Sequence, residues 1–259
     1  MLHSLRAWTA IQRSPKTNFQ LGVALCFVAG ATNAGGFLAV GQYTSHMSGM
    51  VSSVADSMVL GHWGLVVSGA AAVLSFLLGA MTTAWMVNWC LRRNLRSAYG
   101  RPLLLEALLL LVFGIFGTAI DRYDSPLVPT TVLVLCYIMG LQNAVITKIS
   151  RSEIRTTHIT GLITDLGIEL GKLTYVNRLT REQLVNANVP RMRLLLALVG
   201  AFFIGGVSGA LGFKTFGYIS TLPLSALLVM LVWWPVMDDA RQWIPVSYTH
   251  LRAHETRHD

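Results

Sequence analysis

The sequence predicts an all-α membrane protein with six transmembrane helices in two inverted three-helix repeats, each with a short re-entrant or amphipathic helix. Of its 259 residues, 53% are hydrophobic and 12% are charged, whereas about 25% of the residues of a soluble domain are charged. Six stretches reach the length of about 20 apolar residues that a helix needs to cross a membrane. A short polar motif also occurs once in each half of the chain. Together these features indicate a duplicated membrane unit.

The six apolar stretches are spread over both halves of the chain. They are residues 19–41, 64–89, 103–120, 127–147, 194–213 and 215–235. Basic residues precede the first stretch, as they precede a secretion signal, but its apolar core is longer than that of a signal, which favours a retained helix. Glu106 lies one turn from the start of the third stretch, where we expect its carboxylate to reach the membrane interface. Pro223 interrupts the sixth stretch, which a membrane helix tolerates when neighbours supply hydrogen-bond partners.

The basic residues indicate the topology. The net charge is +8, and most Lys and Arg residues stand in short runs beside the apolar stretches, where the positive-inside rule places them. If segments 44–60 and 156–172 do not cross the membrane, nearly all of these residues lie on one side, whereas two further crossings would divide them between both sides. The six-span arrangement is therefore preferred, with both termini in the cytoplasm. The expected partner is the lipid bilayer and not nucleic acid, and a homo-oligomer is left open.

The repeated motif defines the two halves. Its copies are Thr44-Ser45-His46-Met47-Ser48-Gly49 and Thr156-Thr157-His158-Ile159-Thr160-Gly161. Each copy follows an apolar stretch that carries an Asn-Ala pair, at Asn33 and at Asn143. Because each half contains an odd number of crossings, the second half is predicted to be inverted relative to the first. The resulting division is an N-terminal segment 1–18, a first repeat 19–125, a second repeat 126–240 and a tail 241–259.

The residue types of the motif are suited to binding a small polar or anionic solute. Thr44 and Thr156 are placed to cap the short helices, whose N-terminal ends carry partial positive charge. The glycines allow a solute or another backbone to approach, and the histidines are able to bind an anion or a proton. The predicted solute site comprises Asn33, His46, Ser48, Gly49, Gln142, Asn143, His158, Thr160, Gly161 and Asp165, with Asp165 as a candidate proton or cation ligand. The alternative is that these polar groups only cap helices and join neighbouring ones.

Several other chemistries are not supported. Cys26, Cys90 and Cys136 lack metal or disulfide spacing and are expected to act as small apolar residues. The residues His254 to His258 match the zinc-protease pattern H-E-x-x-H, but they lie at the chain end in a tail, 246–259, that looks like translated vector sequence. We therefore predict no metal, no cofactor and no enzymatic activity. Gly205 and Gly209 form a small-xxx-small pair that indicates close helix packing.

The ordered set of motifs resembles a known family. Ala29 to Phe37, the His46 motif, Gly140 to Ala144 and the His158 motif together are similar to the YoaK family of bacterial multi-pass inner-membrane proteins, over approximately residues 19–240. Many members of that family have Asp at the position of Asn33 and Asn at the position of Met50. The resemblance implies the location and the helical architecture, and it implies no substrate.

The duplicated, inverted arrangement predicts a function in transport. Inverted-repeat transporters bind their solute where the two halves meet, so we expect a secondary transporter of a small polar or anionic solute. The alternatives are a channel or a structural membrane protein without transport activity and, less favoured, an intramembrane enzyme.

Overall fold

The computed structural model describes residues 15–95, 97–122, 130–150, 156–176 and 185–255. Within these residues the structure is helical and contains no strand, which confirms the all-α prediction. The α-helices are α1 (Pro15–Val40), α2 (Met47–Val59), α3 (Trp63–Arg92), α4 (Gly100–Arg122), α5 (Thr130–Ile149), α6 (Ile159–Thr174), α7 (Val189–Phe216) and α8 (Thr221–Glu255). A 3₁₀ turn, Gly217–Ser220, joins α7 to α8.

Among the described residues, five helical stretches are long and apolar enough to cross a membrane. They are Lys16–Val40, Trp63–Arg92, Gly100–Gly117, Thr130–Ile149 and Val189–Asp239. The last stretch has 51 residues and includes both α7 and most of α8, so the fifth and sixth predicted spans lie within it. Pro223 was expected to interrupt the sixth span, but it interrupts no helix. It lies in the first turn of α8, where proline is tolerated.

Two helix pairs, α1 with α7 and α3 with α5, pack most extensively. All four helices carry an aromatic residue followed three positions later by glycine. These pairs of residues are Phe27 and Gly30, Phe76 and Gly79, Tyr137 and Gly140, and Phe202 and Gly205.

At each crossing, the glycine of one helix lies against the backbone of the aromatic residue on the other. A Cβ added at Gly30 would overlap the carbonyl oxygen of Phe202, and one at Gly205 would overlap that of Phe27. The α3–α5 crossing repeats this arrangement between Gly79 and Tyr137 and between Gly140 and Phe76. Gly209 likewise lies against the carbonyl oxygen of Ala31, which confirms the close packing predicted for Gly205 and Gly209.

The short helices α2 and α6 pack against the long helices that follow them. Helix α2 is antiparallel to α3, because Gly69 lies against Val54 while Met50 shares a buried cluster with Ala72. Met47, the first residue of α2, packs in the same cluster, to which Phe76 contributes from the middle of α3. The N-terminus of α2 is therefore level with the centre of α3, and its C-terminus is level with the start of α3.

Helices α1 and α5 also run antiparallel. Gln142 Nε2 donates a hydrogen bond of 3.1 Å to the carbonyl oxygen of Leu25, whereas a Cβ at Gly36 would lie 3.1 Å from Leu135 Cδ1. The His46 motif follows α1 and the His158 motif follows α5. The two motifs therefore lie at opposite ends of the α1–α5 pair.

The crossing predicts different effects for two adjacent glycines. In Gly205→Ala the added methyl group meets the Phe27 backbone, whereas in Gly206→Ala it makes ordinary contacts of 3.6 Å or more. We expect Gly205→Ala to destabilise the protein by about 1–3 kcal/mol through overpacking. Thermal unfolding in detergent measures the difference, with Gly206→Ala as the control. Equal melting temperatures for the two variants would contradict the close crossing.

Candidate functional site

In the first motif, Asn33 holds the loop that precedes α2. Its side chain is 8% exposed, and its Oδ1 accepts hydrogen bonds from the backbone N–H of Ser45 at 3.2 Å and from Ser45 Oγ at 2.9 Å. Each such bond contributes about 0.5–1.5 kcal/mol. In the structure, Asn33 therefore connects Ser45, the residue before His46, to α1 by hydrogen bonds.

Asn143 performs the same task in the second motif. Its Oδ1 accepts hydrogen bonds from Thr157 Oγ1 at 2.7 Å and from Thr156 Oγ1 at 3.4 Å. Its Nδ2 donates to the carbonyl oxygen of Met139 at 2.9 Å, which directs Oδ1 towards the loop. Ser45 and Thr157 occupy the same position of their motifs, so both halves contain the same bond between an amide and the residue before the histidine.

The threonines do not cap the short helices, contrary to the sequence-based expectation. His46 and His158 are the N-cap residues, and neither makes a side-chain capping bond. Thr44 Oγ1 is buried and has no hydrogen-bond partner among the described residues, whereas Thr156 Oγ1 bonds to Asn143. The helices begin too late in the motif for these hydroxyls to reach their free N–H groups.

The glycine of each motif accommodates the histidine of the same motif. A Cβ at Gly49 would overlap the imidazole ring of His46, and one at Gly161 would overlap that of His158. The space next to each glycine is therefore filled by an imidazole, whereas the sequence had suggested a solute or a backbone. Glycine allows the ring to fold back over the first turn of the helix.

Burial follows the same order along both motifs. Thr44 and Thr156 are buried, the two histidines are exposed, and so are Ser48 and Thr160 two residues further on. A cavity of about 360 Å³ adjoins the first motif. Its lining includes Gln42, His46, Gly49, Ser53 and Ser68. His46 thus lines a cavity whose walls carry these polar groups together with the apolar side chains of Phe37, Met50 and Leu65.

Two further predicted residues, Gln142 and Asp165, join helices. Gln142 is fully buried and bridges α5 to α1 through its Nε2, while its Oε1 has no partner among the described residues. Asp165 Oδ2 accepts a hydrogen bond of 2.8 Å from Arg191 Nη2 in an exposed ion pair between α6 and α7. The carboxylate of Asp165 is thus already paired with a cation at the protein surface.

The structure brings the residues of each motif together, but it keeps the two motifs apart. Thr44 Oγ1 would lie 3.8 Å from a Cβ at Gly36, whereas the Thr156 carbonyl oxygen accepts a long bond of 3.7 Å from Cys26 Sγ. Gly36 and Cys26 are separated by about 15 Å along α1, at 1.5 Å per residue. Within the part of the chain that the structure describes, the two motifs therefore form two related but separate sites.

Glu106 lies deeper in the protein than the sequence predicts. Its side chain is fully buried, so it does not reach the interface. Helix α4 begins at Gly100, earlier than the predicted span, and thus places Glu106 deeper in the helix. The available signal was the spacing from Glu106 to Leu103, Leu110 and Phe113, which puts all four on one helix face.

The acidic residue Glu169 on α6 predicts a pH dependence of stability. Hydrogen bonds from the Lys172 ammonium and from the backbone N–H of Asn188 hold the pKa of this carboxyl below its ordinary value of 4.5. A lowered folded-state pKa contributes stability above the unfolded-state value, and this contribution is lost as the pH falls through the folded-state pKa. We expect Glu169→Gln to lower the melting temperature at pH 7. The difference from the parent protein begins to shrink below about pH 4.5 and disappears once the pH is below the lowered folded-state pKa. Asp165→Asn, in an exposed pair, is the control with little effect; a pH-independent difference for Glu169→Gln would contradict this account.

Comparisons with known proteins agree with the fold and with the resemblance. A family described as "Protein of unknown function (DUF1275)" matches residues 21–234. The UPF0700 transmembrane protein YoaK of Bacillus subtilis (strain 168) is 23% identical over 183 residues, which cover 70% of this chain and 79% of that protein. No solved structure matches the chain. The apolar helices and the family match together establish that this chain is an integral membrane protein and belongs to the DUF1275 family, which includes YoaK.

Proposed function

We propose that this protein is a secondary transporter of a small polar or anionic solute in the bacterial inner membrane. In this proposal, six helices cross the membrane as two inverted repeats, and both termini are cytoplasmic. One observation carries the proposal: the same arrangement of Asn, hydroxyl residue, His and Gly occurs at the start of a short helix at each end of the antiparallel α1–α5 pair. Inverted-repeat transporters place such broken elements where solute is bound.

The packing of the long helices supports the inverted repeat. If α1 corresponds to α5 and α3 corresponds to α7, then exchanging the halves converts the α1–α7 pair into the α5–α3 pair. These are the two most extensive pairs, and the Gly30–Phe202 and Gly205–Phe27 contacts of one pair correspond to the Gly140–Phe76 and Gly79–Tyr137 contacts of the other. An approximate twofold axis between the antiparallel helices α1 and α5 would relate the two helix pairs and their glycine contacts.

The position of the short helices supports a solute path within the membrane. Helix α2 has 13 residues, and at 1.5 Å per residue it spans about 20 Å, more than half of a hydrocarbon core of about 30 Å. Its first residue is level with the centre of α3, while its last is level with the start of α3. Such an element is stable at membrane depth when protein or a water-filled cavity surrounds it.

The chemistry of the His46 cavity fits a small solute. A volume of about 360 Å³ lies near the lower end of the range of about 300–1,000 Å³ for small-molecule sites. The free N–H groups at the start of α2 provide partial positive charge, and His46 adds an imidazole side chain to the lining of the cavity. A carboxylate, a phosphate or the negative end of a neutral dipole meets these requirements.

The helix packing suggests how access alternates. Helices α1, α6 and α7 form a first packed unit, and α2, α3 and α5 form a second. The Asn33–Ser45 bond joins α1 of the first unit to the loop of the second, and the Asn143–Thr157 bond joins α5 of the second unit to the loop of the first. Both bonds are present in this conformation. Opening towards one side breaks one bond, and opening towards the other side breaks its counterpart.

The inverted topology is tested by labelling from each side. In a background in which buried Cys26, Cys90 and Cys136 are replaced, single cysteines are introduced by His46→Cys and His158→Cys. We expect a membrane-impermeant thiol reagent to label them from opposite sides of inner-membrane vesicles. Labelling of both positions from the same side would refute the inverted arrangement.

Solute binding is tested by thermal stability in detergent. The probes are acetate, inorganic phosphate, sulfate and glycerol, extended to other small carboxylates and polar molecules. A bound solute at 100 times its Kd stabilises the protein by about 2.7 kcal/mol, and we expect His46→Ala to abolish this shift. His62→Ala is the matched control, because His62 is the N-cap of α3 outside both motifs. If no solute stabilises the protein, a structural role without transport is indicated. If His46→Ala leaves the solute-induced rise in melting temperature unchanged, the proposed solute site at His46 is wrong.

A further inference from the structure

Glu106 lies on the innermost face of a membrane-spanning helix. Its carboxylate belongs to the apolar stretch Gly100–Gly117, and its side chain is 0% exposed. Leu103, Leu110 and Phe113, at positions i−3, i+4 and i+7, are also fully buried. These spacings place the four side chains on one stripe of α4, so Glu106 points into the protein and away from the lipid.

Neither oxygen of Glu106 has a hydrogen-bond partner among the described residues. The hydroxyls that α8 presents to α4 are already engaged with the α4 backbone. Ser225 Oγ donates to the carbonyl oxygen of Ala107 at 2.6 Å, and Thr221 Oγ1 donates to that of Leu110 at 2.9 Å. Native proteins rarely leave a buried polar side chain in this condition without a functional reason.

No charged group described on the surrounding elements forms an ion pair or a hydrogen bond with the Glu106 carboxylate. Asp239 on α8 accepts bonds from Ser97, Lys148 on α5 donates to Asn88, and Arg101 on α4 donates to Ser97. The charged and titratable side chains described on the elements packed against α4 are Cys90, Arg92, Cys136, Tyr137, Lys148, Tyr218, Asp238 and Asp239. None of them bonds to either Glu106 oxygen.

An ionised carboxylate in this position would be a buried, unpaired charge, which is far more costly than a neutral acid. Ionisable residues inside membrane helices generally mark ion or proton pathways. We propose that Glu106 is a proton-binding site in the membrane core, occupied in this conformation, that couples solute movement to proton movement. The coupling rests on the proposed transport function, whereas the proton site itself does not. Binding converts the carboxylate and one proton into a carboxylic acid, and release reverses this step.

The proton site is tested with dicyclohexylcarbodiimide, an apolar reagent that adds to protonated carboxyls and gives a stable N-acylurea. On the full-length protein in detergent, we expect mass spectrometry to find the adduct on Glu106, with labelling that declines as the pH rises. Glu169 is the matched control, because it is also buried but bonds to Lys172 and Asn188. We expect it to remain unlabelled at neutral pH. Absence of the Glu106 adduct at every pH would overturn the proposal.

Variants provide a second readout that does not depend on transport. We expect the infrared carbonyl band of a protonated carboxylic acid in the parent protein and its loss in Glu106→Gln, with Glu169→Gln retaining it. If Glu106→Gln does not fold, Glu106→Leu replaces it, since an apolar residue suits this stripe. Retention of the band in a folded Glu106 variant would refute the site. If the band and adduct are found but no solute binds, the proton site stands and the transport function fails.

Discussion

The close approach of helix backbones at the two glycine crossings is the constraint on which the remaining structure depends. In lipid, apolar side chains gain little by leaving their surroundings, so helices associate through van der Waals packing and polar contacts. Gly30 and Gly205 allow α1 and α7 to meet at backbone distance, and Gly79 and Gly140 do the same for α3 and α5. The short helices α2 and α6 in turn pack against α3 and α7, one helix of each of these pairs.

Breaking a helix inside a membrane leaves backbone and side-chain polar groups that must be satisfied within the protein. In the proposed arrangement these groups are satisfied locally in both halves, because Asn33 and Asn143 accept hydrogen bonds from the residues that precede His46 and His158. A bond of this type holds a loop firmly, yet its net contribution of about 0.5–1.5 kcal/mol is small enough to be exchanged during a conformational change. Loops held in this way suit a protein that alternates between two states.

The sequence was sufficient to predict that the protein is helical, because the length and composition of a segment decide whether it is stable as a helix in lipid. It was not sufficient for the helix partners: the aromatic-x-x-Gly pattern is visible in four segments, but an apolar helix has no polar face to indicate which neighbour it meets. The capping prediction for Thr44 and Thr156 failed because it depends on the residue at which each helix begins. The burial of Glu106 escaped prediction for a similar reason, since it depends on the start of α4 and on the helices that cover it.

In the proposed inverted repeat, the two halves share a backbone arrangement but differ in their ionisable groups. Glu106 lies on α4, whereas residues 221–236 of α8 contain no acidic residue, and α6 carries two acidic residues where α2 carries Asp56 alone. A symmetric backbone makes two oppositely open conformations similar in energy, so a small bias suffices to shift their populations. A single proton taken up on one half supplies such a bias, because the free energy of binding it differs between the conformation in which the carboxyl is buried and one in which it is exposed. In the proposed carrier, the symmetry of the backbone therefore keeps the two states close in energy, and a proton bound on one half shifts the population towards one of them.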